Sequence, residues 1–185
     1  DHILDDGTKP YLTENPDEAD TFLNEKFSSK YKTPFTYSKK ANIKPLKLPY
    51  IDKQKDTVIA GLRHVKLFIS PQRHINRMEF FADSTYTFLS FNLNGMKIEK
   101  PKNSISVFGN RKSSKLFSYY VSDEKYLEME FIIPAEQKTE FTLYSSSNDM
   151  LDNSLFYVPE RPATMIPKPF VLNDAVIVKK VITLE

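Results

Sequence analysis

Thr85-Tyr86-Thr87-Phe88-Leu89-Ser90-Phe91-Asn92-Leu93-Asn94-Gly95-Met96-Lys97-Ile98 is the stretch whose reading decides the fold. Its first nine residues are rich in β-branched and aromatic side chains, which suit a pleated, half-buried surface. They alternate: Tyr86, Phe88 and Ser90 oppose Thr87, Leu89 and Phe91. Asn94-Gly95 then interrupts the run, and Met96 to Ile98 resumes it. A type I′ turn needs positive φ at both central positions, which Asn-Gly tolerates best, so the stretch predicts a β-hairpin.

The same period recurs on both sides. His64 to Ser70 places Val65, Leu67 and Ile69 on one face, and Pro71 ends it. Further strands are predicted at Arg77 to Ala82, Ile105 to Phe108, Leu116 to Val121, Tyr126 to Ile133 and Glu140 to Ser145. In Ala175 to Leu184, Val176, Val178 and Lys180 oppose Ile177, Lys179 and Val181. About eight or nine short strands at roughly ten-residue spacing predict a mainly β chain, folded as an antiparallel two-layer β-sandwich. No long stretch of helical period competes, and Asp149 to Leu155 offers one helical turn. Val158 to Phe170 holds Pro159, Pro162, Pro167 and Pro169. Proline has no amide donor, so this segment is expected to cross one end of the sandwich in extended form.

The N-terminal third has a different character. Residues 1–55 read as an extended Pro- and Lys-rich arm, and residues 56–185 as the sandwich domain. Residues 1–25 contain eight acids against Lys9, whereas residues 26–50 contain seven lysines and no acid. Such single-sign blocks mark extended, solvated chain. One short helix is expected near 16–24. Asn15 would cap it, Pro16 suits its first position, and Asp17, Glu18 and Asp20 fall in its first turn. Phe22 and Leu23 would anchor it.

Composition narrows the chemistry. A chain of 185 residues fits one domain with a self-sufficient core. There is no Cys, which excludes disulfides, thiolate catalysis and cysteine zinc sites. The formal charge of +2 gives no reason to expect a nucleic-acid partner. No apolar run is long enough to span a bilayer. The chain opens at Asp1 and shows no signal-peptide pattern, which predicts an excised fragment or a processed product.

Constellations suited to catalysis do not emerge. His2, His64 and His74 lack the spacing of a zinc motif and read as surface or turn residues. Ser113-Ser114 and Ser145-Ser146-Ser147 have no nucleophile-elbow context and read as turns and strand ends. Glycines at positions 7, 61, 95 and 109 cannot build a phosphate cradle. Asp5-Asp6, Asp123-Glu124 and the Asp149–Asp152 pair lack calcium-loop spacing and read as solvated turns. No catalytic, cofactor-binding or metal-binding residue is therefore assigned.

The most tempting signal is the arm from Lys26 to Lys47. Its lysines 26, 30, 32, 39, 40, 44 and 47 interleave with Phe27, Tyr31, Phe35 and Tyr37. It reads first as a strap with packed aromatics and solvated lysines. It is also a candidate for contact with an anionic membrane surface. Stacking on nucleic-acid bases is the weaker reading. Carbohydrate platforms favour Trp, which is absent, although Tyr can substitute.

Four blocks carry a family resemblance. They are Asn15-Pro16 leading to Thr21-Phe22-Leu23-Asn24-Glu25; Asp56-Thr57-Val58-Ile59-Ala60-Gly61; Arg63-His64-Val65-Lys66-Leu67; and the closing run from Arg161 to Ala175. The resemblance they carry would extend over nearly the whole chain. They resemble the C-terminal region of bacterial membrane metallopeptidases of family twenty-eight, the two-zinc aminopeptidases, in the branch similar to the endoplasmic-reticulum metallopeptidases. The resemblance implies an exported peptidase domain, then membrane helices, then a soluble β domain on the periplasmic side of the inner membrane. The family's ligands include a His-x-Asp pair and a Glu-Glu pair, and this chain has neither. The implied role is therefore a non-catalytic accessory domain of a zinc exopeptidase. The parent would hold the two zinc ions, and this chain no cofactor. Its expected partners are the peptidase domain and membrane helices of the same polypeptide, docked through edge strands and the Pro-rich crossover. The alternative is an independent β-sandwich that binds glycan or peptide.

Overall fold

The structure, a computed structural model, describes Leu12, Asp17–Glu18, Phe27 and residues 35–122, 126–167 and 172–184. Two compact units divide the chain: residues 1–45 with 148–175, and residues 46–147 with 176–185.

In the first unit, β1 (Asp17–Glu18) pairs antiparallel with β2 (Tyr37–Ser38). Asp17 and Glu18 thus stand in a strand, not in the first helical turn that Asn15 and Pro16 predict. Pairing with a distant segment overrides a local capping signal, as tertiary context commonly does. The remaining residues of the helix expected near 16–24 lie outside the described residues. Asp149 to Leu155 forms turns, with the Asp152 amide donating to the Asp149 carbonyl at 3.1 Å. The Asn153 side chain braces them, donating to Asp149 Oδ2 at 3.1 Å and accepting from the Leu155 amide at 3.0 Å. The Pro-rich segment carries no strand over residues 158–167, as its prolines dictate.

The second unit is the β-sandwich. Its strands are β3 (Tyr50–Ile59), β4 (Leu62–Ser70), β5 (Arg77–Ala82), β6 (Ser90–Leu93), β7 (Met96–Lys97), β8 (Lys115–Tyr120), β9 (Leu127–Pro134), β10 (Thr139–Ser147) and β11 (Val176–Leu184). One antiparallel sheet has the order β3-β4-β9-β6-β7, and the other the order β11-β10-β5-β8. β3 crosses the 55/56 boundary expected between arm and sandwich. Among the described residues it is an edge strand paired only with β4, and most of its side chains are exposed. Its middle, Asp52-Lys53-Gln54-Lys55-Asp56, therefore lacks the apolar alternation that marks the other strands. A bulge between Lys53 and Lys55, with a lysine on either side, discourages further strands from adding to this edge.

Both hairpin turns obey the positive-φ rule. Asn94 and Gly95 have φ of 46° and 77°, and Ala60 and Gly61 have 49° and 76°. Alternation along β4 buries Val65, Leu67 and Ile69, and along β9 it buries Leu127, Met129, Phe131 and Ile133. From the facing sheet come Met78, Phe80, Phe141, Leu143, Ile182 and Leu184.

The segment before β6 departs from the expected strand. Only Ser90–Leu93 pairs, while residues 85–89 turn. Asp83 starts the turn by accepting from both the amide and the hydroxyl of Thr85, at 2.8 and 2.6 Å. Phe88 and Phe91 consequently share the core instead of facing opposite ways. The Phe88 ring meets Phe91, Phe108, Phe131 and Phe141 with centroids 5.5 to 5.9 Å apart. Ile105 to Phe108 is likewise not a strand: it bends and turns, with the Ser106 carbonyl accepting from the Ser104 hydroxyl and the Gly109 amide.

Candidate functional site

The two described histidines are not brought together. His64 lies half-buried near the start of β4, opposite Thr57 and Ile132, while His74 is exposed beyond that strand's other end. His2, Asp5-Asp6 and Asp123-Glu124 lie outside the described residues. Among the described residues, no three His, Asp or Glu side chains converge on a point that could hold a metal ion. Ser145, Ser146 and Ser147 are the buried last rungs of β10's ladder with β11, at a strand end as the sequence predicts.

The ionic chemistry is concentrated in pairs that hold strands. Asp56 on β3 accepts from Arg63 on β4 in a two-pronged contact, Nε to Oδ1 at 2.7 Å and Nη2 to Oδ2 at 2.8 Å. Lys53 adds a third donor at 2.8 Å. These hydrogen bonds from Arg63 hold the Asp56 carboxyl far below the ordinary carboxylate range, against the opposing effect of burial. Asp56 in turn raises the Arg63 pKa. On the other sheet, buried Glu79 accepts from Arg77 at 2.8 Å, Lys115 at 2.6 Å and Ser118 at 3.4 Å. Both clusters escaped the sequence reading. The Asp56–Arg63 pair spans the Ala60-Gly61 turn, which Ala60 does not announce.

Arg73 has a third structural task. It donates to the carbonyls of Ser145 at 3.1 Å and Val176 at 3.0 Å, and to the Ser147 hydroxyl. It therefore clasps the ends of β10 and β11 where they meet. Beside it is a cavity of about 330 Å³ lined by Pro71, Gln72, Arg73, His74, Ile75, Val121 and Ser122. Its volume is at the lower end for small-molecule sites. The guanidinium within it is already engaged, so the cavity offers His74, Gln72 and Ser122 over an apolar floor.

In the arm, Lys39, Lys40, Lys44 and Lys47 are exposed and Ile43 is fully so. Lys26, Lys30, Lys32 and Tyr31 lie outside the described residues. Tyr50 at the start of β3 and Val58 and Ile59 at its end are exposed, on either side of the strand's charged middle. No protein-family model, no curated protein and no solved structure matches this chain.

Proposed function

We propose that this chain is a non-catalytic accessory domain of a membrane-anchored zinc exopeptidase, placed on the periplasmic side of a bacterial inner membrane. Its partners in this reading are the peptidase domain and membrane helices of the same polypeptide, with the Lys26–Lys47 arm near lipid. The observation that carries it is the fate of the polar residues in the family-like blocks. Asp56 and Arg63 neutralise each other between β3 and β4. Arg161 and Asp174, near the two ends of the last block, form an ion pair in which Arg161 Nη2 donates to both carboxylate oxygens at 2.8 and 2.7 Å. The signature residues thus hold chain segments in place, the task expected of a support. The zinc ions belong to the parent's peptidase domain in this reading, and no step is assigned to residues here. In this reading the exposed side chains of Tyr50, Val58 and Ile59 on β3, rather than its backbone edge, are offered to that domain.

The test has two arms. The purified chain, supplied with zinc, is expected to leave aminoacyl-nitroanilide substrates intact; stoichiometric zinc with turnover would overturn the reading. The reading frame encoding Asp1 is expected to encode membrane segments and a His-x-Asp and Glu-Glu pattern upstream. A frame without them would overturn the parent assignment.

A further inference from the structure

We propose that the loop joining β7 to β8, residues 98–114, is a docking surface for an anionic lipid bilayer. This goes beyond the accessory-domain reading and does not depend on it. The loop contains Lys100, Lys102, Arg111 and Lys112 against one acid, Glu99. The three lysines are exposed. Arg111 is turned back onto the carbonyls of Ala82 and Asp83, so it ties the loop down.

Among these cations Ile105 is 76% exposed. Its neighbours hold it out in water. Ser104 Oγ donates to the Ser106 carbonyl at 2.8 Å, and the Ser106 hydroxyl accepts from the Phe88 amide at 3.0 Å. The Val107 amide donates to the Phe88 carbonyl at 2.7 Å, and the Gly109 amide to the Ser106 carbonyl at 3.0 Å. Val107 is buried, and the Phe108 ring stands edge-on to Phe88 and Phe91. A Cβ at Gly109 would fall 1.8 Å from Ser104 Oγ, so the two limbs of this turn touch. Val107 and Phe108 therefore pin the loop to the core while Ile105 points away from it.

An exposed branched aliphatic on a loop that carries three exposed lysines matches the layered chemistry of an anionic membrane. Cations meet the phosphate level, and the aliphatic tip enters the acyl boundary. A single-stranded nucleic acid would instead use an exposed aromatic for stacking, and this loop's one aromatic, Phe108, is turned into the core.

The chain has no Trp, so Ile105→Trp supplies a single reporter at the tip. Gln72→Trp places the same reporter beyond the opposite end of β4. With vesicles of phosphatidylglycerol and phosphatidylcholine, the emission of Ile105→Trp is expected to shift to the blue and that of Gln72→Trp to stay put. Adding Lys100→Gln, Lys102→Gln and Lys112→Gln to Ile105→Trp should lower the partition coefficient about a hundredfold, at roughly fivefold per lysine. The single variant Ile105→Asp should lower binding several-fold in a vesicle sedimentation assay, with circular dichroism unchanged. The proposal is overturned by no binding, by equal binding to pure phosphatidylcholine, or by a shift at position 72 in place of 105. It is also overturned if Glu at positions 39, 40, 44 and 47 abolishes binding while the loop triple retains it. Displacement of the vesicles by an oligonucleotide would overturn it in favour of nucleic acid.

Discussion

Replacing Phe88 by Ala should remove the keystone of the sandwich. Phe88 is fully buried outside any strand, and its ring touches Phe91 and Phe131 of the five-stranded sheet, Phe141 of the four-stranded sheet, and Phe108 of the β7–β8 loop. Truncating a buried Phe to Ala costs about 3–5 kcal/mol, as lost transfer energy plus the cavity left behind. With rings from both sheets around it, the site cannot collapse without moving a strand, so the upper half of that range is expected. For a chain of this length each kcal/mol shifts the melting midpoint by about 2–4 °C, so Phe88→Ala should melt roughly 8–20 °C lower. Phe91→Ala should lose a similar amount, since Phe91 is equally buried. The two rings lie 5.5 Å apart, so the double variant should lose less than the sum by about 0.5–1.5 kcal/mol. Urea unfolding followed by circular dichroism measures all three, with the midpoint moving at constant slope. Strict alternation from Tyr86 to Phe91 would expose one of the two rings. A loss below about 1 kcal/mol in either single variant, the level of ordinary surface substitutions, would refute the shared core and restore that pattern.

The Asp56–Arg63 pair gives a pH test. The folded Asp56 pKa is depressed, so its stabilisation is complete above the unfolded carboxylate range near 4 and fades as pH falls through that range toward the folded value. Asp56→Asn should therefore cost about 2 kcal/mol at neutral pH and progressively less below about pH 4, read by urea titration at several pH values. Ala60 has φ of 49° in the β3–β4 turn, a conformation that Asn adopts more readily. Ala60→Asn should raise stability by about 0.5–1 kcal/mol, and a fall in the melting midpoint would contradict the type I′ geometry. Gly109→Ala should destabilise by about 1–3 kcal/mol, because the new methyl meets Ser104 Oγ and the Ser106 carbonyl. Proteolysis within residues 98–114 should accelerate in that variant.

Strands with one face in the core were legible in the sequence. β4, β9 and β11 alternate because one side of each meets the facing sheet, and β5 runs from Arg77 to Ala82 as its apolar content indicates. Asn94-Gly95 marked its hairpin because turn chemistry is local. β3 was hidden because an exposed edge strand has no buried face to imprint a period on its residues. Ala60-Gly61 was hidden because Ala gives no sign of positive φ. Residues 85–89 misled for a different reason. Bonds from the Phe88 backbone to Ser106 and Val107, not a pleat, hold this segment, and only the folded chain brings those distant residues to it. Of the ionic clusters, Glu79 could not be foreseen. Its partners Arg77, Lys115 and Ser118 come together only through the β5–β8 register.

Ser147 and Val176 are directly opposite one another in the ladder of β10 and β11, so the chain leaves the sandwich and re-enters it at one rung, under the Arg73 clasp. Residues 148–175 are thereby an insert at the tip of a hairpin, and the alignment of β10 with β11 owes nothing to their length. Doubling such an excursion changes closure entropy by only about 0.6 kcal/mol. That rung is where a foreign segment could be grafted, or the native one exchanged, with the nine-residue ladder intact on either side.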